Sequence, residues 1–207
     1  MYRNTWMEVN LDDIIENIQI LKKRCGKRII SVIKADAYGC GDRYVAKAAL
    51  EAGTDMFAVS SEDEALILRN EGFTQPILIL GAASPSSVHM LVKENISTAA
   101  YSMEWVKKVI EQDCTGLRVH MKVDSGMHRI GFQNNQELKE AFDLLLQHGC
   151  IMEGIFTHFS CADTDISYTN RQYDVFKEAV ESLSCPFEWI HCDNSDATAF
   201  FKDSLSN

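Results

Sequence analysis

The sequence lacks several features that would place it in a specialised class of protein. No apolar run approaches the ~20 residues that a membrane-spanning helix needs, and residues 1–10 have no signal-peptide layout. The seven cysteines are scattered and include no Cys-x-x-Cys pair, so neither a zinc knuckle nor a redox dithiol is indicated. Basic side chains number 20 against 30 acidic ones, and the formal charge of −10 repels nucleic-acid phosphates. We therefore expect a cytoplasmic protein with reduced thiols that binds neither nucleic acid nor membrane.

What the sequence contains is an alternation of short apolar runs with longer amphipathic stretches. Its 207 residues, 46% hydrophobic and 24% charged, suit one globular domain with a sizeable core. The apolar runs predict β-strands at 7–11, 29–33, 56–59, 77–80, 98–101, 117–123, 151–156 and 187–191. The amphipathic stretches predict helices at 12–24, 42–52, 62–71, 86–94, 103–112, 135–148 and 169–183.

This alternation favours an α/β fold with a parallel sheet. Strands that are nearly continuous in apolar character are typical of a sheet covered by helices on both faces. The pattern is compatible with a barrel and with an open doubly wound sheet. No Gly-x-Gly-x-x-Gly follows the first apolar strand, which argues against the dinucleotide-binding form of the open sheet. Counted from the strand at 29–33, the chain has seven β/α units, of which the last is shortened.

Lys34 is the most informative single residue, because it ends the apolar strand at 29–33 and a turn follows it at once. An ammonium group is costly to bury, so a strand does not end in one without a reason. One interpretation is a lysine whose stem lies along the strand while its charge reaches solvent. The other is a Schiff-base lysine that condenses with an aldehyde cofactor, most often pyridoxal phosphate.

The six residues 34–39, Lys-Ala-Asp-Ala-Tyr-Gly, resemble the cofactor-lysine motif of the alanine racemases. Three further segments resemble the same family and come in the same order. They are Met-Lys-Val-Asp-Ser-Gly-Met-His-Arg-Ile-Gly at 121–131, Gly-Ile-Phe-Thr-His-Phe at 154–159 and Trp-Ile-His-Cys-Asp-Asn-Ser at 189–195. The resemblance extends from about residue 5 to residue 195, which is nearly the whole chain.

The resemblance implies a (β/α)8-type TIM barrel, incomplete in this chain with about seven β/α units. On this template residues 1–207 are the pyridoxal 5'-phosphate-binding N-terminal barrel domain, cut before the eighth strand and the C-terminal β domain. The implied enzyme is a dimeric isomerase that interconverts L- and D-alanine for cell-wall synthesis. Because a second base would come from the β domain, we expect this chain alone to be inactive or weakly active, and to self-associate through exposed barrel edges.

In a β/α barrel the active site lies at the carboxyl ends of the strands, and the matched polar residues fall there. The resemblance makes Lys34 the Schiff-base lysine and the acid–base group on one face of the substrate α-carbon. It assigns Tyr38 and Ser195 to the cofactor phosphate and Arg129 to the phenolic oxygen. Lys122 matches a lysine that is carbamylated in many family members, which would turn a cation into an anion beside Arg129.

His158, His191 and Asn194 complete the set of matched residues. A single histidine is more often a satisfied core residue than a functional one. Two histidines at adjacent strand ends, together with Asn194, favour a hydrogen-bond network under the cofactor. No metal site is expected, because the histidines are too dispersed to have the spacing of metal ligands.

Two other kinds of function remain open at this point. A single-domain carrier of pyridoxal phosphate has a similar barrel and suits the length, although segments 34–39 and 122–131 resemble the racemases and not the carriers. A serine racemase or a D-amino-acid aldolase on the same barrel would share the cofactor and differ in the amino acid bound. In each enzymatic alternative the substrate is a small amino acid.

Overall fold

Seven strands, each followed by a helical segment, form the framework of the protein in the computed structural model, which describes residues 4–201 and 204–207. The strands are β1 Ile30–Val32, β2 Met56–Val59, β3 Ile77–Ile79, β4 Ile96–Ala100, β5 Arg118–Lys122, β6 Ile151–Phe156 and β7 Trp189–His191. The helical segments are α1 Leu11–Cys25, α2 Lys34–Tyr38, α3 Asp42–Glu51, α4 Glu62–Asn70, α5 Val88–Lys93 (after a 3₁₀ turn at Pro85–Ser87), α6 Met103–Ile110, α7 Asn135–Gln147, α8 Ile166–Leu183 and α9 Ser195–Phe200. No helix within the described ranges is long and apolar enough to cross a membrane.

The strands pair in the order of the sequence, from β1 to β7, and every pair is parallel. Strands β2, β3 and β4 are buried along their whole length, as expected for a sheet covered by helices. An open doubly wound sheet reverses its strand order at a switch point, and this sheet has no such reversal among the described strands. The architecture is therefore an incomplete TIM-type barrel, open between β1 and β7, and the predicted fold class is confirmed.

Residues 204–207 lie beside the outer edge of β7. Asn207 donates its backbone N–H to the Ile190 carbonyl at 3.1 Å, and its side-chain oxygen accepts the Ile190 N–H at 3.0 Å. The same oxygen accepts a hydrogen bond from Arg28, whose guanidinium lies 3.7 Å from the centre of the Trp189 ring. The edge of β7 is therefore partly paired, so the expected exposure of the barrel edges does not hold along this part of β7.

The predicted opening strand at 7–11 is wrong. Residues 4–10 form no strand, and α1 begins at Leu11. The side-chain oxygen of Asn10 caps this helix by accepting the Asp12 N–H at 3.1 Å, and acidic residues in the first turn suit the positive end of the helix dipole. The start signal of the helix therefore lies inside the apolar alternation that indicated a strand. The other predicted strands and helices form within a few residues of their predicted bounds.

Gly154 allows β5 and β6 to approach closely in the middle of the sheet. A β-carbon on Gly154 would lie 2.5 Å from a ring atom of His120. The register of the two strands also shifts at this point, because Val119 pairs with Met152 whereas His120 pairs with Gly154. A β-bulge of this kind re-aims a side chain, here that of Glu153, which points to the His120 ring.

We predict that Gly154→Ala lowers the free energy of unfolding by about 1–3 kcal/mol, the usual cost of an overpacked core. His120 cannot move aside cheaply, because both of its ring nitrogens are hydrogen-bonded. Urea unfolding followed by circular dichroism measures the change. In a His120→Asn background the additional cost of G154A should fall, since the shorter side chain leaves room. An unchanged stability for G154A alone would contradict the close contact.

Candidate functional site

The turn that follows β1 holds Lys34 in an unusual backbone environment. Ala35, Asp36, Ala37 and Tyr38 have φ between 51° and 57°, so four consecutive non-glycine residues adopt the left-handed conformation. This region costs L-residues of order 1–2 kcal/mol each, and such strain is found mainly where the surrounding structure enforces it. Here the turn closes through backbone bonds, including Ala37 N–H to the Ile33 carbonyl at 3.0 Å. The structure thus uses a strained turn, and not a regular helix, to present the lysine.

Glu64, in the first turn of α4, fixes this turn from the neighbouring β/α unit. Its carboxylate accepts the Ala35 N–H at 2.7 Å, the Ser60 N–H at 2.7 Å and the Ser60 hydroxyl at 2.8 Å. Burial alone would raise the pKa of Glu64, but the hydrogen bonds from Ala35 and Ser60 outweigh it, and the pKa lies below its usual value. The carboxylate therefore stays charged and anchors the backbone next to Lys34.

Three cations from two β/α units, the first and the fifth, come together around His158, which follows β6. The pKa of His158 is lowered to about 4. Burial is the main cause of this low pKa, followed by the positive charges of Lys122, Arg129 and Lys34. The structure thus brings these four residues, all predicted from the sequence, to one place at the carboxyl rim of the sheet. The imidazole of His158 is neutral at neutral pH.

Lys122, the last residue of β5, is almost fully buried. Its side chain is 3% exposed, its Nζ donates to the Val123 carbonyl at 3.0 Å, and the Phe156 ring lies 5.0 Å away. Its pKa is lowered to about 8, mainly by burial and further by Arg129, although the Asp124 carboxylate opposes the shift. A larger fraction of this amine is therefore neutral and nucleophilic near neutral pH than in an ordinary lysine.

Asp124 shapes the loop at 124–131 that carries Arg129. One carboxylate oxygen accepts the Gly126 N–H at 3.1 Å and the His128 N–H at 2.9 Å, and the other accepts from the Gln133 side chain at 2.9 Å. At the far end of the loop, Gly131 passes so close to the strand end that a β-carbon there would lie 2.7 Å from the Asp124 nitrogen. The folded loop leaves Arg129 exposed at its tip.

A network of hydrogen-bonded polar side chains extends from the barrel interior to the rim. Glu153 accepts hydrogen bonds from Arg118 at 2.8 Å and from the Ser97 hydroxyl, and it lies 3.1 Å from His120 Nε2. The other nitrogen of His120, Nδ1, lies 3.0 Å from His191 Nε2. A carboxylate only accepts, so His120 Nε2 donates to Glu153, while the second nitrogen of His120 shares a hydrogen bond with His191.

The electrostatics of this network favour a charged Glu153 carboxylate and a neutral His191 ring. Burial would raise the pKa of Glu153, but its bonds to His120 and Ser97 and the charge of Arg118 lower it to about 2. The pKa of His191 is well below its usual value, first because of burial and then because of His120 and Lys122. Its ring stacks on Phe156 with centroids 4.7 Å apart, which fixes its plane.

The hydrogen-bond network in the structure differs from the one predicted for His158 and His191. Among the described residues His158 and His191 share no hydrogen bond, because His191 faces His120 instead. Sequence reasoning did not include His120 or Glu153 in the site. The sequence does contain a sign of their role, which is a histidine and a glutamate inside otherwise apolar strands. Buried polar groups of this kind require hydrogen-bond partners.

The remaining predicted residues lie at the exposed rim. Tyr38 is 65% exposed, and its ring centre lies 5.8 Å from Lys34 Nζ. Asn194 caps α9, its side-chain oxygen accepting the Ala197 N–H at 3.0 Å. Ser195 is exposed as the first residue of that helix. The two residues expected at a phosphate, Tyr38 and Ser195, thus lie after β1 and β7, the two edge strands of the open barrel.

Comparison with known proteins agrees with this geometry. Residues 9–207 match the family model described as alanine racemase, N-terminal domain. The chain belongs to the alanine racemase family. It is 41% identical to the alanine racemase of Anoxybacillus flavithermus over 217 aligned positions, which cover 100% of this chain and 56% of that protein.

Solved structures of alanine racemases share this fold. The alanine racemase of Bacillus anthracis with bound L-Ala-P is 36% identical to this chain and superposes with a TM-score of 0.93, over 100% of this chain and 56% of that one. A histidine racemase from Leuconostoc mesenteroides is 28% identical with a TM-score of 0.86, over 91% of this chain and 52% of that one. The chain thus spans about half the length of the relatives that it matches.

We predict that stability falls as the pH drops from about 6.5 towards 4, and that His158→Gln removes part of this fall. The pKa of His158 is about 4 in the folded protein against an ordinary value of 6.5. In this window the unfolded chain therefore binds more protons, and folding becomes less favourable as the pH falls. Urea unfolding at a series of pH values measures the slope. His89→Gln, at an exposed position on α5, is the control, and equal slopes in the wild type and H158Q would contradict the assignment.

Proposed function

We propose that this chain is the pyridoxal phosphate-binding domain of a cytoplasmic, dimeric alanine racemase that interconverts L- and D-alanine. One observation carries the proposal: Lys34, Lys122 and Arg129 lie around a neutral histidine at the carboxyl rim. In the described part of the chain Lys34 and Arg129 form neither an ion pair nor a hydrogen bond. Such unneutralised positive charge suits an anionic ligand. Family membership supports the same conclusion.

The residues present fit a phosphorylated aldehyde. A lysine amine without a partner can bond covalently to the aldehyde, and a guanidinium can donate to an ionised phenolic oxygen. Most carboxylate oxygens near these cations are already occupied, because Glu64 binds the Ala35 and Ser60 amides and Asp124 binds the amides of its own loop. When bound, pyridoxal phosphate withdraws electrons from the substrate α-carbon and so acidifies its proton.

The predicted site residues would then have different roles. Lys34 would hold the cofactor through its amine and would take or return the proton at the substrate α-carbon on its side. Arg129 would donate to the phenolic oxygen, and its positive charge would favour the ionised form of that oxygen. Tyr38 and Ser195 donate hydroxyl hydrogens to the phosphate. The neutral ring of His158 lies among these groups without adding a further positive charge.

Lys122 has the properties that carbamylation requires. Its amine has a pKa of about 8 and lies beside Arg129 in a buried position. Carbon dioxide reacts with the neutral amine, and the carbamate formed is an anion that accepts hydrogen bonds from a guanidinium. The modification would replace repulsion between Lys122 and Arg129 by attraction, and it would hold Arg129 for its contact with the cofactor.

The choice of amino acid stays part of the proposal. The similarity to a histidine racemase on the same barrel shows that one scaffold accepts different side chains in different proteins. Alanine is favoured because the family model and the relative that is 41% identical to this chain carry that name. Racemisation assays with both enantiomers of alanine, serine and histidine separate these substrates. A pure carrier would bind the cofactor and exchange the α-proton of none of them, whereas this domain should exchange the α-proton of its own substrate even where racemisation is weak.

We predict that borohydride reduction of the protein with pyridoxal phosphate leaves a pyridoxyl group on Lys34, which peptide mass mapping locates. Lys34→Ala should abolish the label, and Lys107→Ala, at an exposed position on α6, should keep it. The reason is that Lys34 lies at the rim with an amine that no carboxylate occupies. A label on another lysine, with Lys34 unmodified, would show that the assignment is wrong.

We also predict that Lys122 takes up carbon dioxide as the pH rises through about 8, because only the neutral amine reacts. NMR with isotope-labelled bicarbonate detects the carbamate carbon. Lys122→Arg is the control, since it keeps the positive charge and cannot form a carbamate at this pH. A carbamate signal that persists in K122R, or none in the wild type above this pH, would contradict the proposal.

A further inference from the structure

The first two turns of α8 contact the two site segments that follow β5 and β6. The hydroxyl of Tyr168 donates to the Gly126 carbonyl at 2.7 Å. One turn later, the buried side chain of Gln172 accepts the Ser160 N–H and hydroxyl, both at 3.0 Å, and donates to the His158 carbonyl at 3.4 Å. One helix therefore holds the Arg129 loop and the His158 segment.

The contact between Tyr168 and Gly126 requires a glycine. Gly126 has a φ of 136°, and a β-carbon there would lie 2.7 Å from the Tyr168 oxygen. Tyr168 is itself fixed, because its N–H donates to the Asp165 carboxylate at 2.8 Å and its ring lies 5.1 Å from the Arg171 guanidinium. Gly126, which has no side chain, therefore contacts a tyrosine whose backbone and ring are both restrained.

The tip of the loop has no other hydrogen bond to a separate element in the described structure. The Gly126 and His128 amides bond only to Asp124, at the base of the same loop. Ser125 reaches Thr157, but it lies before the tip. Residues 126–130 include Arg129, so the hydroxyl of Tyr168 is the external restraint on the segment that presents the guanidinium.

We infer that Tyr168 is a positioning residue for Arg129. Its hydrogen bond fixes the loop backbone three residues before Arg129, and the guanidinium needs a defined direction to donate to one oxygen of the cofactor. Tyr168 touches neither Lys34 nor Lys122 and takes no part in proton transfer. The inference rests on the proposed function for its consequence at the cofactor, but the restraint on the loop is a property of the protein alone.

Hydrogen exchange without cofactor tests the restraint. In Tyr168→Phe the Gly126 and His128 amides should exchange about three- to tenfold faster, the factor that corresponds to one lost neutral hydrogen bond. Tyr44→Phe is the matched control, because its hydroxyl bonds only to the neighbouring Arg43 on α3. Y44F should leave the exchange of these amides unchanged. Equal exchange in Y168F and the wild type would overturn the inference, whatever the cofactor does.

A second measurement tests the link to Arg129. Arg129→Lys keeps the charge and removes the planar guanidinium, so it should shift the pH at which the absorption of bound pyridoxal phosphate changes. Y168F should shift this midpoint in the same direction in the wild-type background and leave it unchanged in the R129K background. Equal shifts in both backgrounds would show that Tyr168 acts independently of Arg129 and overturn its positioning role. Failure of the wild type to bind the cofactor at Lys34 would instead overturn the proposed function, and the exchange result would still decide the restraint.

Discussion

Because the seven strands pair in parallel and in the order of the sequence, all of their carboxyl ends lie at one rim of the sheet. Side chains that are far apart in the chain, such as Lys34, Arg129 and His158, meet there without any special connection between them. Each β/α unit contributes its own loop, while the apolar strands below hold the loops at fixed spacing. The order and direction of the strands, more than any single contact, therefore bring the residues of the candidate site together.

The positive charges of Lys34 and Arg129 at this rim are not paired with carboxylates in the described part of the chain. The nearby carboxylates of Glu64 and Asp124 bind mainly backbone amides, so they shape the turn beside Lys34 and the loop before Arg129. Burial, and after it the neighbouring positive charges, lower the pKa values of Lys122 and His158. Perturbed titratable groups of this kind are typical of functional sites. Binding of an anionic ligand would relieve the repulsion between these positive charges.

Much of this arrangement could be predicted from the sequence, because it is local. Apolar periodicity located the seven paired strands, and the segment at 34–39 located Lys34 at a strand end. The strand predicted at 7–11 was wrong because the helix-capping role of Asn10 outweighed a short alternation. Family resemblance, and not periodicity, supplied the barrel.

The contacts that the sequence did not predict are those between different β/α units. Glu153 meets His120 only because the register of β5 and β6 shifts beside it, and a single sequence does not reveal such a shift. Tyr168 reaches Gly126 across 42 positions of the chain. The left-handed turn after Lys34 was expected only as a turn, since its conformation depends on Glu64 from the next unit.

Our proposal is that Lys34, held at this rim, moves the proton of an amino acid bound to pyridoxal phosphate. Its most direct test is the incorporation of solvent deuterium at the α-carbon of alanine by the protein loaded with the cofactor. We expect incorporation that Lys34→Ala abolishes and that Lys107→Ala leaves unchanged. Incorporation that survives in K34A at the wild-type rate would contradict the account, and so would its absence in a wild-type protein that carries the cofactor on Lys34.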